Sequence, residues 1–413
     1  MVFVYIVSII PILLWFVAHW PSSPFSDIYV FFLSLGQITG ILGITLFSIN
    51  LVLSARLKFL ENSFNGLNQI YKKHHLIGGV SFILMMVHPL LLFISRLTIS
   101  FNYAKILAIP GSDFFVDLGI IALLTIMIVL ILTFFAKLPY EIWKLIHKFS
   151  GFSFIVAIFH SFLIPSTISE NKPLFIYMAI VVTLGLISYI YRTLLFKFLV
   201  KKYKYSVSKV VKLNKNTIAI VLTPKNIPIK YHAGQFIFVS FKNSVVPTEF
   251  HPFSIANTNS NSIVIVSKDE GDFTKKLLDI KVNTEAEVEG AFGRFSNYYY
   301  PNPNQIWVGG GIGITPFIGM ALGNTNNNVD LYYCIKDESE KLNFDTKKIN
   351  LKLFYSKTMG HIDAKYIMNN SKSFETSDFF ICGPIPLMKS LREGLNKLGI
   401  KNSRIHTEEF SFD

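Results

Sequence analysis

Two stretches decide how the first half of the chain is interpreted: HHLIGGVSFILMMVH, residues 74–88, and HKFSGFSFIVAIFH, residues 147–160. Each stretch is apolar along most of its length and carries histidine at both ends. The terminal histidines are 14 and 13 positions apart. On a helix this spacing separates two levels by about 20 Å. An ionisable side chain inside a bilayer is costly, so we expect these histidines to have a function.

Two helices that each offer histidine at two depths can hold two planar haems by bis-imidazole ligation. We predict that His74 and His147 bind the inner haem iron and that His88 and His160 bind the outer one. The alternative is that the four histidines only form hydrogen bonds between helices. Zinc is disfavoured, because no Cys, Asp or Glu completes a tetrahedral site at either level.

His75 competes with His74 for the inner position. We favour His74, because His74-x-x-x-Gly78 repeats the pattern of His147-x-x-x-Gly151. A glycine one turn from a ligand permits close approach of backbone or macrocycle. The 13-residue spacing in the second stretch is about 140° out of phase on an ideal helix. We therefore expect tilt or a local irregularity there, with Gly151 as a candidate place.

Apolar runs long enough for a bilayer recur through the first half and predict a six-helix transmembrane bundle. Their approximate ranges are 2–18, 29–54, 74–95, 115–135, 147–165 and 173–195. Lys and Arg concentrate in loops 55–73 and 136–146 and after residue 195. This asymmetry predicts a protein of the cell (inner) membrane. Both termini and the second half of the chain would lie in the cytoplasm. The first run lacks a preceding Lys or Arg, which favours a retained helix over a signal peptide.

Composition separates the two halves of the 413-residue chain. Of 39 Lys and Arg, only 12 lie in residues 1–200, and the second half has the composition of a soluble protein. The net charge of +13 does not indicate nucleic-acid binding, because no basic run is interleaved with aromatic residues. Two cysteines cannot form a disulfide framework, and a reducing cytoplasm is expected for them.

The second half changes pattern twice. Short alternating runs such as TIAIVLTP and SIVIVSK predict an antiparallel β-barrel. From about residue 303, buried runs such as IWVGG and FFICG alternate with helical segments, which predicts an α/β nucleotide-binding domain. The predicted domains are residues 1–203, 204–302 and 303–413.

Two motifs in the barrel suit a flavin. In HPFS, residues 251–254, an aromatic ring would pack against the isoalloxazine, the serine would hydrogen-bond near N5 and the histidine would contact phosphate. In GDFT, residues 271–274, backbone N–H groups and a hydroxyl at a helix start can hold pyrophosphate. The predicted flavin-binding residues are His251, Pro252, Phe253, Ser254, Gly271 and Thr274.

The glycine-rich VGGGIGITPF, residues 308–317, follows an apolar strand and precedes a helix, the context a dinucleotide loop needs. Its predicted contacts are Gly309, Gly311, Gly313, Ile314, Thr315 and Pro316. Cys382-Gly383-Pro384 ends another strand, where a thiol can touch nicotinamide; the alternative is a buried core cysteine. Cys334 is interpreted only as a core residue.

The sequence ends in EEFSFD, and a terminal aromatic ring there could cover the flavin until nicotinamide displaces it. Phe410 and Phe412 are the candidates; alternatively they pack a last strand. The residues predicted to act in catalysis are Ser254, Thr315, Cys382, Phe410 and Phe412.

Taken in order, HPFS, GDFT, VEGAFG (288–293), GGGIGITPF and CGP resemble the ferredoxin–NADP reductase superfamily. Behind two histidine-bearing spans, they resemble the bacterial type of the NADPH oxidase and ferric reductase transmembrane family. The resemblance implies FAD, two b-type haems and oxidation of NAD(P)H in the cytoplasm. The acceptor across the membrane would be O₂, giving superoxide, or ferric iron. The lipid bilayer is the expected surrounding of the protein, and no obligate protein partner is inferred.

Several points stay open. Leu92 stands at the position where eukaryotic oxidases of the family that this chain resembles have a second histidine. The sequence leaves both O₂ and Fe³⁺ open as acceptors. Lys336 followed by Asp337 leaves NADH and NADPH equally possible. Arg56, Arg96 and Arg192 are candidate partners of haem propionates or simple helix-end residues. The alternative functions are a membrane electron carrier for a dedicated partner or quinone, and a haem-free anchor.

Overall fold

The computed structural model describes residues 2–21, 23, 25–64, 66–242, 246–258, 261–325 and 328–409. The predicted flavin-covering residues Phe410 and Phe412 therefore lie outside the described residues. The chain separates into two compact units, residues 1–64 with 69–199 and residues 65–68 with 200–413. The further division of the second unit at residue 302 stays a prediction.

The first unit is helical. Its main helices, α1 to α7, are Val2–Ala18, Ile28–Ser54, Leu67–Leu97, Phe114–Phe135, Tyr140–Lys148, Ser150–Leu163 and Lys172–Ile190. Shorter helical segments are Lys58–Ser63, Phe101–Ala104, Lys105–Leu107, Thr167–Glu170, the π-turn Tyr191–Leu195, and Phe196–Leu199. Three long helices begin at side-chain caps, which satisfy otherwise unpaired N–H groups. The capping residues are Asp27, Asp113 and Asn171.

Within the described residues, five helical stretches are long and apolar enough to cross a membrane. They are Ile28–Ser54, Leu67–Leu97, Phe114–Phe135, Glu141–Leu163 and Lys172–Leu195. Large apolar side chains such as Ile83 and Phe134 are exposed on them, as expected for surfaces that contact lipid. Five of the six predicted runs thus have span-like helices.

The first predicted run forms α1, which is shorter than these stretches. Helix α1 is joined to its neighbours by two hydrogen bonds. Trp15 Nε1 donates to Gln37 Oε1 of α2 at 2.9 Å, and Tyr177 of α7 donates to the carbonyl of Val7 at 2.7 Å. The six-span count stays a proposal.

The second predicted His-bearing run is broken, as the 13-residue spacing requires. Helix α5 ends at Lys148 and α6 begins at Ser150, with Phe149 between them. The predicted irregularity is therefore present, two residues before Gly151. It lies between His147 and His160, where it changes the relative direction of their side chains.

The second unit contains two sheets. Strands β1 to β6 form an antiparallel sheet in the order β4-β3-β6-β1-β2-β5. Their ranges are Tyr203–Asn214, Thr217–Pro224, Phe236–Lys242, His251–Ser254, Ile263–Lys268 and Glu285–Phe292. Beyond β4, the N–H of Ala256 donates to the carbonyl of Val264 in β5 at 2.8 Å. Closure of this sheet into a barrel stays a proposal.

The second sheet is parallel, in the order β11-β10-β7-β8-β9. Strands β7 to β11 are Asn304–Gly310, Asn328–Ile335, Asn350–Tyr355, Asp378–Cys382 and Ile405–Glu408. Helices α8 to α11 of this unit are Asp272–Leu277, Thr315–Gly323, Ala364–Asn370 and Ile385–Lys397. The central strands β7 and β10 are buried almost throughout, which explains their continuous apolar runs.

The glycine-rich loop after β7 packs against the loop after β10. A side chain at Gly313 would place its Cβ 2.4 Å from the carbonyl oxygen of Cys382. At Gly310, a Cβ would lie 2.6 Å from Leu387 Cδ2. Gly313 therefore lets the loop after β7 approach the end of β10, and Gly310 lets the end of β7 approach α11.

We predict that Gly313→Ala lowers the free energy of unfolding of the second unit by about 1–3 kcal/mol, because backbone must move to admit the methyl group. Gly271→Ala is the matched control, since a Cβ there meets nothing within 4 Å. Pulse proteolysis of the full-length protein in a urea series, without added nucleotide and with a C-terminal tag, measures both. Equal midpoints for the two variants would contradict the prediction.

Candidate functional site

The outer histidine pair joins α3 and α6. The ring centroids of His88 and His160 are 6.4 Å apart, with an angle of 70° between the ring planes. Nδ1 of His88 lies 2.7 Å from the carbonyl oxygen of Gly36, and Nδ1 of His160 lies 2.7 Å from that of Phe115. A carbonyl only accepts, so each Nδ1 carries the proton and each Nε2 keeps its lone pair for a metal.

Two glycines at this level were missed by the sequence analysis. A Cβ at Gly40 would lie 2.7 Å from Nδ1 of His88, and one at Gly119 would lie 2.8 Å from Cε1 of His160. Each imidazole therefore rests against the backbone of a neighbouring helix. The spacing of Gly36 and Gly40 was a signal that could have indicated close helix packing. Leu92 packs onto Gly36.

The inner pair is less symmetrical. The ring centroids of His74 and His147 are 6.2 Å apart, at 71°. Nδ1 of His74 lies 3.2 Å from the carbonyl oxygen of Asn50, so it has a backbone acceptor like the outer pair. Nδ1 of His147 is buried and has no hydrogen-bond partner in the described part of the chain. His75 is exposed, with its ring 6.1 Å from that of His74.

The centroid separations of both pairs are compatible with two imidazoles that share one metal ion. With metal–nitrogen bonds of about 2.0 Å, two imidazoles that coordinate one ion through Nε2 have centroids about 6.3 Å apart. The observed separations are 6.2 and 6.4 Å. No group of three or more His, Cys, Asp or Glu that could hold a metal occurs among the described residues. A haem needs only two axial protein ligands.

The preference for His74 over His75 rests on two glycines, each of which contacts a side chain of another helix. A Cβ at Gly78 would lie 2.8 Å from Nδ2 of Asn50, and one at Gly151 would lie 2.0 Å from the Tyr189 ring. Both glycines thus admit side chains of other helices, and the choice of His74 stays a prediction. The sequence could not identify these contacts, because both partners are distant in the chain.

The three arginines suggested as propionate partners each contact an aromatic ring. Arg56 lies over Tyr71 and donates to its hydroxyl. Arg96 lies 4.8 Å from the Tyr103 ring centroid and Arg192 lies 4.0 Å from that of Phe196. Their role toward propionates stays a proposal.

The HPFS motif forms β4 and contains one orphaned hydroxyl. Ser254 is 4% exposed, and its Oγ has no hydrogen-bond partner in the described part of the chain. Phe253 is 8% exposed and packs into the core of the first sheet. His251 stacks on Phe273 at 3.6 Å and contacts Glu249 Oε2 at 3.0 Å. The unsatisfied hydroxyl at Ser254 is the feature of this strand that fits a flavin acceptor.

The GDFT motif starts α8 as predicted, but its threonine is already engaged. Oγ1 of Thr274 accepts from the N–H groups of Glu270 and Gly271 at 3.0 Å and donates to the carbonyl of Gly271 at 3.1 Å. In this structure the hydroxyl therefore caps the helix. Its contact with pyrophosphate stays a proposal.

The dinucleotide loop continues β7 into a 3₁₀ turn and α9. Gly311 has φ +55°, and a Cβ there would meet nothing within 4 Å, so this glycine is explained by backbone conformation. Gly309 instead packs against Ile314 and Phe317. Thr315 is buried and donates to the carbonyl of Ile312 at 2.7 Å, while Pro316 lies in the first turn of α9.

Cys382 ends β10 and is fully buried in the core on one face of the parallel sheet. Burial, with a smaller contribution from the Glu408 carboxylate, raises the pKa of this thiol. Gly383 contacts Gly310, and Pro384 precedes α11. Contact between the thiol and nicotinamide stays a proposal. Cys334 is partly buried and packs against the apolar core, and burial raises its pKa to about 12.

The residues considered for nucleotide preference follow β8. Asp337 accepts from the N–H and hydroxyl of Ser339 and caps a short 3₁₀ turn, and these bonds lower the pKa of its carboxyl. The N–H of Lys336 donates to Glu340 Oε2 at 3.1 Å. Neither arrangement separates NADH from NADPH.

Two family models match the chain. Residues 39–158 match the ferric reductase like transmembrane component, and this range includes three of the four candidate haem ligands, His74, His88 and His147. Residues 202–317 match an FAD-binding domain, which includes HPFS, GDFT and the glycine-rich loop.

Individual relatives cover parts of the chain. The electron transfer subunit of dihydroorotate dehydrogenase B (NAD(+)) from Bacillus pumilus is 29% identical over 175 residues, covering 39% of this chain and 66% of that protein. Ferric reduction oxidase 8, mitochondrial, from Arabidopsis thaliana is 34% identical over 116 residues, covering 25% and 16%. Phthalate dioxygenase reductase matches in structure with a TM-score of 0.45 and 21% identity, over 51% and 68%. The chain thus spans less than two thirds of these two curated relatives.

The first family model matches the unit that presents the two histidine pairs, and the second matches the unit that presents the orphaned Ser254 hydroxyl. Both assignments agree with the resemblance found in the sequence. The chain therefore combines a region similar to the ferric reductase like transmembrane component with a region similar to an FAD-binding domain, and its apolar helices indicate a multi-pass membrane protein.

Proposed function

We propose that the protein moves electrons from cytosolic NAD(P)H, through FAD and two b-type haems, to an acceptor across the membrane. The acceptor is O₂, giving superoxide, or ferric iron. The observation that carries the proposal is the pair of imidazole separations, 6.2 and 6.4 Å, at two levels of one helical unit. The redox chemistry that FAD and haem supply when bound is the conversion of a two-electron donor into single electrons.

The histidines hold and tune the iron. His88 and His160 each donate Nδ1–H to a carbonyl, which fixes the ring orientation and increases the basicity of Nε2. His74 does the same through Asn50. The surrounding apolar helices exclude water, so the ligand set and its backbone acceptors govern the potential of each site.

The second unit binds the donor side. Ser254 presents a buried hydroxyl with no protein acceptor, suited to a hydrogen bond with the flavin near N5. Gly311 leaves open space where backbone can approach a pyrophosphate. Cys382 lies at the end of β10, beside the glycine-rich loop, where nicotinamide would bind. We propose that the first sheet closes into a barrel around this flavin-binding edge.

The proposed arrangement in the membrane has six spans, with α1 as the sixth. The Lys- and Arg-rich loops face the cytoplasm, so both termini and residues 200–413 lie there. His74 and His147 are then near the cytoplasmic surface, and His88 and His160 near the opposite one. Electrons that enter from cytosolic NAD(P)H leave on the other side.

A second candidate is a membrane electron carrier that feeds a dedicated partner or a quinone. It is favoured by the likeness to the Bacillus pumilus protein, which is an electron transfer subunit. That likeness covers 39% of this chain, so it speaks only for the reductase part.

We predict that the purified protein with FAD reduces O₂ or a ferric chelate at about 1 s⁻¹ or faster when given NADH or NADPH. Superoxide and Fe²⁺ are measured side by side for each donor. His88→Leu is expected to remove this activity, because the outer iron loses a ligand. If the unsubstituted protein reduces neither O₂ nor the ferric chelate faster than His88→Leu does, but reduces a quinone rapidly, the electron-carrier function is favoured.

We predict that Gly40→Ala weakens outer haem binding about 10-fold, because the methyl group would displace an imidazole that is already fixed by its bond to Gly36. Gly79→Ala is the matched control, since a Cβ there meets nothing within 4 Å. Haem per polypeptide is measured by pyridine haemochromogen after dilution. The same haem content in both variants would contradict the assignment of the outer site.

A further inference from the structure

The positions of His147 and His160 pose a geometric problem that the helix break resolves. Thirteen positions on an ideal helix leave two side chains about 140° apart around the axis. Their partners His74 and His88 lie on nearly one face of α3, being 14 positions apart. Both pairs nevertheless meet at closely similar separations. The backbone between His147 and His160 must therefore be rotated, and the break at Phe149 is where this occurs.

The break changes the hydrogen bonding of the carbonyl before it. In an unbroken helix the N–H of Phe152 would bond to the carbonyl of Lys148. Here it donates to the carbonyl of Phe149 instead, at 3.0 Å. The hydroxyl of Tyr189, from α7, donates to the carbonyl of Lys148 at 3.0 Å. Tyr189 thus supplies the hydrogen bond that the break removes.

The ring of Tyr189 is also fixed at the break. A Cβ at Gly151 would lie 2.0 Å from both Cε2 and Cζ of Tyr189. The ring therefore occupies the space of the missing side chain, at the start of α6. The π-turn Tyr191–Leu195 follows directly, a helix irregularity that is frequent at functional sites. One side chain of α7 consequently contacts both sides of the break.

His147 depends on this backbone more than the other ligands do. Its Nδ1 has no partner within the described residues, whereas His74, His88 and His160 each have a backbone acceptor. Its ring stacks parallel to Trp143 at 5.6 Å. The direction of the imidazole is therefore set by that stacking and by the backbone at His147, directly before Lys148.

We propose that Tyr189 is a positioning residue for His147: its ring in the Gly151 space and its hydroxyl on the Lys148 carbonyl fix the rotation between α5 and α6. The inference rests on the proposed function, in which His147 binds the inner haem iron. Tyr189 acts only through the backbone that carries the ligand.

The chain offers a matched control on the same helix. Tyr177 of α7 also donates its hydroxyl to a backbone carbonyl, that of Val7 in α1, at 2.7 Å. Tyr177→Phe therefore removes a comparable bond from α7 without touching α5 or α6. Tyr189→Phe removes the hydroxyl and keeps the ring, whereas Gly151→Ala forces the ring away and keeps the hydroxyl.

The test is electron paramagnetic resonance of the oxidised full-length protein, whose low-spin signals depend on the orientation of the two imidazole planes. The inner signal is identified as the one missing in His74→Leu, and the outer as the one missing in His88→Leu. We expect Tyr189→Phe or Gly151→Ala to shift the inner signal or weaken inner haem retention about 10-fold, with the outer signal unchanged. Tyr177→Phe should leave both signals unchanged.

The outcomes separate this inference from the proposed function. Two unchanged signals in both Tyr189→Phe and Gly151→Ala would overturn the role of Tyr189 and leave the haem sites intact. A change confined to the outer signal would overturn it as well, and so would an equal change in Tyr177→Phe. Unsubstituted protein that lacks haem would overturn both the inference and the proposed function.

Discussion

The proposed haem sites depend on the distance within two imidazole pairs, whose centroids lie 6.2 and 6.4 Å apart. Other features of the helical unit follow from keeping that distance. Carbonyls of Asn50, Gly36 and Phe115 hold three of the rings by Nδ1. Gly40 and Gly119 give the outer rings room against neighbouring backbone. The fourth ring, His147, has no such acceptor among the described residues and relies on the helix break for its direction.

The second unit, which would bind the electron donor, is stabilised by different interactions. The sheets of the second unit are held by apolar strands, and the loops after β7 and β10 come together at glycines. A buried hydroxyl at Ser254 is costly unless a ligand accepts or donates a hydrogen bond, so the strand carries a cost that flavin binding would offset. Under the proposed function, the two units together would provide what conversion of hydride into single electrons requires: a flavin site in water and iron sites in lipid.

The sequence predicted features that depend on local pattern. The apolar runs were found as helices, the irregularity required by the 13-residue spacing is present, and the parallel strands follow the apolar runs after residue 303. It could not predict contacts between distant segments. That Gly151 admits Tyr189, that Gly40 backs His88 and that Gly313 faces Cys382 are consequences of packing, because no spacing relates these residues. The engaged hydroxyl of Thr274 depends on cap geometry that the GDFT letters do not specify.

The most direct measurement of the central claim is a dithionite-reduced minus oxidised absorption spectrum of the purified polypeptide, with the haem-to-protein ratio determined on the same sample. We expect b-type cytochrome bands and a haem-to-protein ratio of two. A spectrum with flavin bands alone, in protein that has folded and retained FAD, would contradict it.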